Sequence, residues 1–345
     1  MKRKVIKQGN NTLTITLPRN WTKDHGIEGG DEINLEEHES GLVITSSKIL
    51  PATRIEIDIT KMNNPVVWRY FMAAYRAGYS EIVLKFKNPG KLYKIKLAST
   101  KDVERKNIER RTMQMIQDMV NRFIGVEIVE HKPNYCIIKD LSGADVNEDE
   151  FNNALRRIFY LIMLVANENL EALKNKENDK IYNIEVVDAT IDKFTDFCLR
   201  ILSKRGYSDF KKVPILYSIV AILESLGDEY HRLAQHISDS KNGSNIIETV
   251  SSLNSLFKEY NKLFYSFDEK KAVELGENLE TFKESVTEKQ KKTNSEEKEM
   301  LYHIKKIRRT LVDLLQLAIE LRLNEKINNM PILPQPSLTS PSLGQ

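Results

Sequence analysis

Across residues 216–237, LYSIVAILESLGDEYHRLAQHI, the apolar side chains Leu216, Ile219, Val220, Leu223, Leu226, Tyr230, Leu233, Ala234 and Ile237 recur mainly at steps of three and four. That is the period of a helix burying one stripe, and such a helix has to be covered by neighbours. The chain supplies them. The same period marks FNNALRRIFYLIMLVANENLEAL, headed by Asn147-x-x-Glu150 in the form of a capping box, and the segments 178–204, 212–238, 244–267, 270–291 and 296–324. Six helices with short loops predict an all-α region over residues 145–325, built as a pair of three-helix bundles. Residues 329–345, rich in Pro and Ser, read as a disordered tail.

At about 100° per residue, Glu224, Asp228 and His231 share one flank of the 216–237 stripe. The preceding segment has its own stripe of Ile184, Val187, Ile191, Phe194, Cys198 and Leu202, and carries Asp188 and Asp192 beside it, again four apart. If the two helices run antiparallel across the connection at 206–213, these flanks either face each other or both turn away. Turned away, they form a solvated acidic face. Facing, they make a four-carboxylate site of Asp188, Asp192, Glu224 and Asp228. Such carboxylates repel one another as water is removed and need a cation or a proton. An all-oxygen set is hard and suits Mg²⁺, Mn²⁺ or iron, with water or phosphate completing the shell.

The two stretches DATIDKFTDFCLRIL and LESLGDEYHRLA resemble the PhoU family, whose paired acidic motifs lie on three-helix bundles and bind metal clusters. The resemblance implies regulation of phosphate uptake, with a component of a phosphate transporter as partner. It departs at Glu229, where the family commonly carries His. The helical region also repeats internally. LYSIVAILESLGDEYHRLA lines up with LYHIKKIRRTLVDLLQLA, which sets Glu224 on Arg309 and Asp228 on Asp313, while Asp188 and Asp192 line up with Glu274 and Asn278. This alignment predicts that the second repeat holds no metal and that Arg309 pairs instead with Glu274 and Asp313.

The N-terminal end is of another kind. Residues 5–17, VIKQGNNTLTITL, alternate Thr with Leu and Ile around Gly9-Asn10-Asn11, predicting a hairpin or bent strand. Pro18 opens a short helix closed by Gly26, and strands follow at 32–37 and 42–45. So few elements cannot close a core alone, which predicts a dimer. KVIKQGNNTLTITLPRNWTKDHGIEGGDEINLEEHESGLVIT is similar to the AbrB/SpoVT swapped-hairpin domain, in which two chains interleave and the dimer binds DNA; residues 1–48 form this unit. Charge is segregated within it. Lys2, Arg3, Lys4, Lys7, Arg19 and Lys23 precede any acid, and Asp24, Glu28, Asp31, Glu32, Glu36, Glu37 and Glu39 follow. The basic half suits phosphates of DNA; the plain alternative is a basic edge strand that blunts aggregation, and relatives of the fold also serve as dimerisation or antitoxin modules.

Residues 51–142 predict a small α+β unit. It has strands at 55–59, 81–86 and 92–97, a helix from Pro65 to Gly78, a highly charged helix running through Phe123, and a hairpin around Lys132-Pro133-Asn134. It contains no glycine-rich phosphate loop, nucleophile elbow or zinc cluster. Arg105, Lys106, Arg110 and Arg111 are interleaved with Asp102, Glu104 and Glu109, as on a solvated helical face. The unit reads as a spacer or sensor.

The fold class is therefore multidomain α+β. A net charge of only +3 over 345 residues rules out a global basic field, so any argument for nucleic acid is local. Cys136 and Cys198 lack metal-ligand spacing, which points to a reducing cytoplasm, and the absence of a leader or spanning run predicts no direct membrane insertion. The leading expectation is a non-enzymatic cytoplasmic regulator of phosphate uptake, binding DNA at one end and metal or phosphate status at the other, a fusion resembling those of archaea. Two alternatives stay open. One is a dimeric scaffold that acts on a phosphate transporter without binding DNA. The other is a carboxylate-bridged metal oxidase, though those use Glu-x-x-His on two helices and the nearest match here is Asp228-x-x-His231.

Overall fold

The computed structural model describes residues 1–38, 41–45, 53–96, 107–142, 148–175, 181–240 and 243–328. The chain divides into two units, Met1–Phe151 with Ser203–Arg205, and Asn152–Leu202 with Gly206–Gln345. The expected cap at Asn147, the residues Arg105 and Lys106, and the tail at 329–345 lie outside the described residues.

The first unit begins with two separate hairpins. β1 (Ile6–Gln8) pairs antiparallel with β2 (Thr12–Thr14) through a turn in which Gly9 takes a φ of 71°, a left-handed conformation that favours glycine. Helix α1 (Arg19–Asp24) follows, and then β3 (Asn34–His38) pairs with β4 (Gly41–Thr45). None of residues 1–35 is buried, and Leu13, Val5, Leu35 and Leu42 are each more than half exposed. The alternating pattern has formed its hairpins, but among the described residues of the N-terminal segment nothing buries them.

The remainder of this unit has a core. β5 (Arg54–Asp58) and β6 (Glu81–Lys85) are parallel, joined by α2 (Asn64–Arg76). Asn63 caps α2 by accepting the Val66 N–H at 3.1 Å. β7 (Leu92–Lys96) pairs with β8 (Asn107–Arg111), α3 (Thr112–Val120) follows, and β9 (Val126–Lys132) with β10 (Tyr135–Asp140) completes a sheet of order β5-β6-β10-β9. Ile57, Leu84, Cys136 and Ile138 of the sheet meet Val67, Phe71, Tyr75, Met115 and Met119 of the helices. The charged helix expected to run through Phe123 is corrected here. Residues 107–111 are a strand, because Asn107, Glu109 and Arg111 lie in register with Lys96, Lys94 and Leu92, a non-local pairing that charge content does not reveal.

The second unit is helical. Its elements are α4 (Glu148–Asn175, whose first turn belongs to the first unit), α5 (Ile181–Arg205), α6 (Val213–Asp239), α7 (Ile247–Tyr265), α8 (Glu269–Gln290) and α9 (Ser295–Asn328). α6 closes on both α4 and α5 at Gly227, where an added Cβ would lie 3.2 Å from Ile191 and 3.8 Å from Ile162. α7, α8 and α9 pack together, and α6 lies along α9. A buried polar network fixes the level of three helices. Asn169 donates to the Tyr230 carbonyl at 2.8 Å, the Tyr230 hydroxyl to Asn254 at 3.3 Å, and Asn254 to the Ala166 carbonyl at 2.7 Å. Among the described residues no helix is long and apolar enough to cross a membrane.

Candidate metal centre

α5 and α6 turn their acidic flanks toward each other. Asp192, Glu224 and Asp228 each offer a carboxylate oxygen, and these oxygens lie within 4.8 Å of one another at half-buried positions. Their placement follows from the two stripes: burial of Ile191 on α5 and of Leu223, Leu226 and Gly227 on α6 leaves the adjacent flank positions at the seam. A divalent cation fits this donor set, which is all oxygen and drawn from two helices. The group includes no histidine, as an oxidase site of the Glu-x-x-His type requires.

The fourth expected ligand, Asp188, is directed elsewhere. Its Oδ2 takes the Nδ1 of His231 at 2.8 Å, while the His231 Nε2 lies 3.1 Å from the Gln235 amide nitrogen. A neutral ring donating through Nδ1 and accepting through Nε2 satisfies both contacts. His231 thus serves as a flank residue with both nitrogens engaged.

The sequence reading missed the cationic side of this site. Arg232 bonds Asp228 and Glu229, each at 2.5 Å, so one guanidinium holds a candidate ligand and its neighbour together. Glu229, where the family pattern has His, is buried between α6 and α9 and also takes His303 at 2.8 Å and Lys306 at 3.3 Å. Burial pushes the Asp228 carboxyl above its ordinary range, with Arg232 opposing and Asp188 adding to the rise. Burial also pushes Glu229 up, but the bonds from His303, Arg232 and Lys306 more than reverse this and leave it lowered. The i, i+4 spacing of Asp228 and Arg232 was visible in the sequence; the partners on α9 were not.

The second repeat requires a correction. Arg309, Glu274 and Asp313 are all exposed, and among the described residues no ion pair joins them. The pair that forms is Arg308 with Glu280, and Arg308 also donates to the Leu279 carbonyl at 2.9 Å. The burial pattern explains the shift. Ile184, Ile191 and Cys198 of α5 correspond to Ala272, Leu279 and Val286 of α8, and Leu216, Val220, Leu223 and Tyr230 of α6 to Met300, Ile304, Ile307 and Leu314 of α9. Asp192 then falls on Glu280, Glu224 on Arg308 and Asp228 on Val312. Matching separations along the chain gave the wrong register because the connection at 291–294 is shorter than that at 206–212.

Lys2, Arg3, Lys4, Lys7, Arg19 and Lys23 are all exposed. Among the described residues none has an ion-pair partner, which leaves the basic half of the N-terminal segment open to phosphates. Neither cysteine sits at a site: both are buried, and burial pushes the Cys136 thiol up to about 12 and Cys198 up as well, opposite to what a reactive thiol or metal ligand needs.

These features define a multidomain α+β protein with exposed N-terminal hairpins and a carboxylate cluster on a helical bundle. Residues 6–50 match the family model described as antidote-toxin recognition MazE, bacterial antitoxin. The fold is similar to the phosphate transport system regulatory protein PhoU from Streptococcus pneumoniae, with 14% identity and a TM-score of 0.41 over 51% of this chain and 97% of that one. It is likewise similar to PhoU from Pseudomonas aeruginosa, with 17% identity and a TM-score of 0.43 over 51% and 97%. No curated protein matches the chain.

Proposed function

We propose that this protein is a non-enzymatic, phosphate-responsive regulator of phosphate uptake that touches DNA through its N-terminal hairpins and holds a metal in its helical half. The observation that carries the reading is the convergence of Asp192, Glu224 and Asp228 on the seam of α5 and α6, the two helices bearing the paired acidic motifs that resemble PhoU. Asp188 stands one turn away with its Oδ2 on His231 and is a reserve ligand beside the three. A bound Mg²⁺, Mn²⁺ or iron supplies positive charge on which phosphate oxygens can complete a shell; the chain's own part is to hold the three carboxylates at the seam and to balance them with Arg232 when no cation does so. The hairpins without a core, and the acid-free run of Lys2, Arg3, Lys4, Lys7, Arg19 and Lys23, support a dimer that presents a doubled basic face to DNA.

The MazE match favours a second reading, in which the N-terminal segment grips a partner protein instead. Mobility shift with the full chain at two salt concentrations separates the two. DNA binding should weaken with salt, and removing one phosphate contact should flatten the log–log slope by about 0.9, counted twice in a dimer. A folded variant with Lys2, Arg3, Lys4 and Lys7 all changed to Ala that binds with unchanged salt dependence rejects the DNA surface. Metal analysis of protein purified without chelator tests the helical half, and metal-free protein rejects that part.

A further inference from the structure

Arg232 divides one positive charge between two neighbouring carboxylates. Its Nη2 bonds Asp228, one of the three acids at the α5–α6 seam, and its Nη1 bonds Glu229, each at 2.5 Å. The two acids are successive residues of α6, but their surroundings differ. The Asp228 side chain is 33% exposed, whereas that of Glu229 is 9% exposed and reaches α9. There the Glu229 Oε2 accepts from His303 Nδ1 at 2.8 Å, and the buried His303 ring stacks on His236 with 5.0 Å between centroids. This leaves Oε1, on which Arg232 converges from α6 and the Lys306 ammonium from α9, the latter at 3.3 Å.

A guanidinium held by one carboxylate is less available to the other, and a carboxylate anchored to a buried ring on another helix cannot follow it. Glu229 therefore draws Arg232 away from Asp228. Lys306 competes for the same oxygen and so pushes Arg232 back toward Asp228. The Lys306 ammonium has a second place to rest, since it lies 4.7 Å from the centroid of the exposed Tyr302 ring. In the second repeat the residues corresponding to Glu229 and Arg232 are Asp313 and Gln316, both exposed.

We propose that Glu229 is a positioning residue for the cation site: acting through Arg232, it sets the affinity of Asp192, Glu224 and Asp228 for a divalent cation and couples that site to α9. The proposal rests on the reading of the α5–α6 seam as a cation site. When a cation takes Asp228, Arg232 goes over wholly to Glu229 and Lys306 yields Oε1 to it. Occupation of the first repeat is thereby felt on a helix of the second, and any contact that draws Lys306 off Glu229 tightens the cation.

Calorimetry with Mn²⁺ on the full chain tests this as a double-mutant cycle. Glu229→Gln keeps an oxygen for His303 but loosens the hold on Arg232, and should weaken Mn²⁺ binding about tenfold. In an Arg232→Gln background the same change should alter affinity by less than about twofold. Lys306→Met, on the other helix, should tighten binding about threefold, again only while Arg232 is present. That arm removes a side chain 44% exposed, so it does not depend on how the interior tolerates Glu229→Gln. Apart from affinity, the ring-nitrogen resonance of His303 should move on saturation with Mg²⁺ in the wild type and stay in place in Arg232→Gln. Equal effects of Glu229→Gln with and without Arg232 overturn the proposal and leave the cation site standing, because Glu229 then acts only as a nearby charge. A wild-type chain that takes up no Mn²⁺ overturns the site itself and the coupling with it.

Discussion

In the α5–α6 hairpin three carboxylates meet at the seam, whereas at the matching height of the α8–α9 hairpin Glu280 meets Arg308. The apolar stripes beneath are equivalent, so the difference lies in which charges the stripes carry to the surface. Like charges in the first repeat raise the cost of burial and leave room for a cation. In the second, the positive charge is covalent, and the Arg308 side chain, 12% exposed, is fixed further by the Leu279 carbonyl. A duplicated hairpin can thus keep its packing while one copy exchanges a carboxylate cluster for an ion pair.

The comparison breaks most sharply on metal content. Glu224→Ala with Asp228→Ala should abolish bound metal in elemental analysis, while Arg308→Ala and Asp313→Ala should retain it; equal losses would mean that the two hairpins do not differ as described. Next in size is a transplant. Arg308→Glu with Val312→Asp places carboxylates at the positions matching Glu224 and Asp228, beside Glu280 in the place of Asp192. Stoichiometry by calorimetry with Mn²⁺ should rise from one site to two.

A smaller effect is expected at Arg232, which already occupies Asp228 at 2.5 Å. Arg232→Gln should tighten Mn²⁺ binding by about tenfold, the effect of a unit charge removed from a partly screened neighbour. Asp228→Asn should raise the melting temperature of chelator-treated protein by a few degrees at neutral pH. The sign follows from its raised pKa: the folded state holds the proton more tightly than the unfolded chain, so stability falls as pH climbs from about 3.9 toward the folded value. Below that range both states are protonated and the variant should lose its advantage. Smallest is Arg308→Ala, which should lower the melting temperature by about a degree or two through loss of an ion pair with an exposed carboxylate and one carbonyl bond.

Residues with local periodicity were legible in the sequence. The stripe of α6, the hairpin turn at Gly9 and the helix α2 follow from spacing, which also put Asp192, Glu224 and Asp228 on the flanks of their helices while leaving open whether those flanks face each other. What was illegible depended on contacts between distant segments. β8 looked like part of a charged helix because its partner, β7, is a separate segment earlier in the chain. Asp188 shares the spacing of a ligand, but His231 on the next helix takes its carboxylate. The register of the second repeat required knowing which residues are buried, since separation along an antiparallel hairpin mixes facing position with loop length. Glu229 looked like a departure from a family pattern, and only its neighbours on α9 explain it.

Gly227 stands directly before Asp228, where α6 packs against Ile191 of α5, and Ile191 is one residue from Asp192 on the other side. Core and ligands are therefore successive residues across the same gap. A methyl group added at Gly227 would lie 3.2 Å from the Ile191 side chain, which must give by a few tenths of an ångström, next to the carboxylate of Asp192. In the proposed metal site, discrimination between a small cation such as Mg²⁺ and a larger one would then rest on the dry interior of the bundle, a calliper whose jaws are set by a missing side chain.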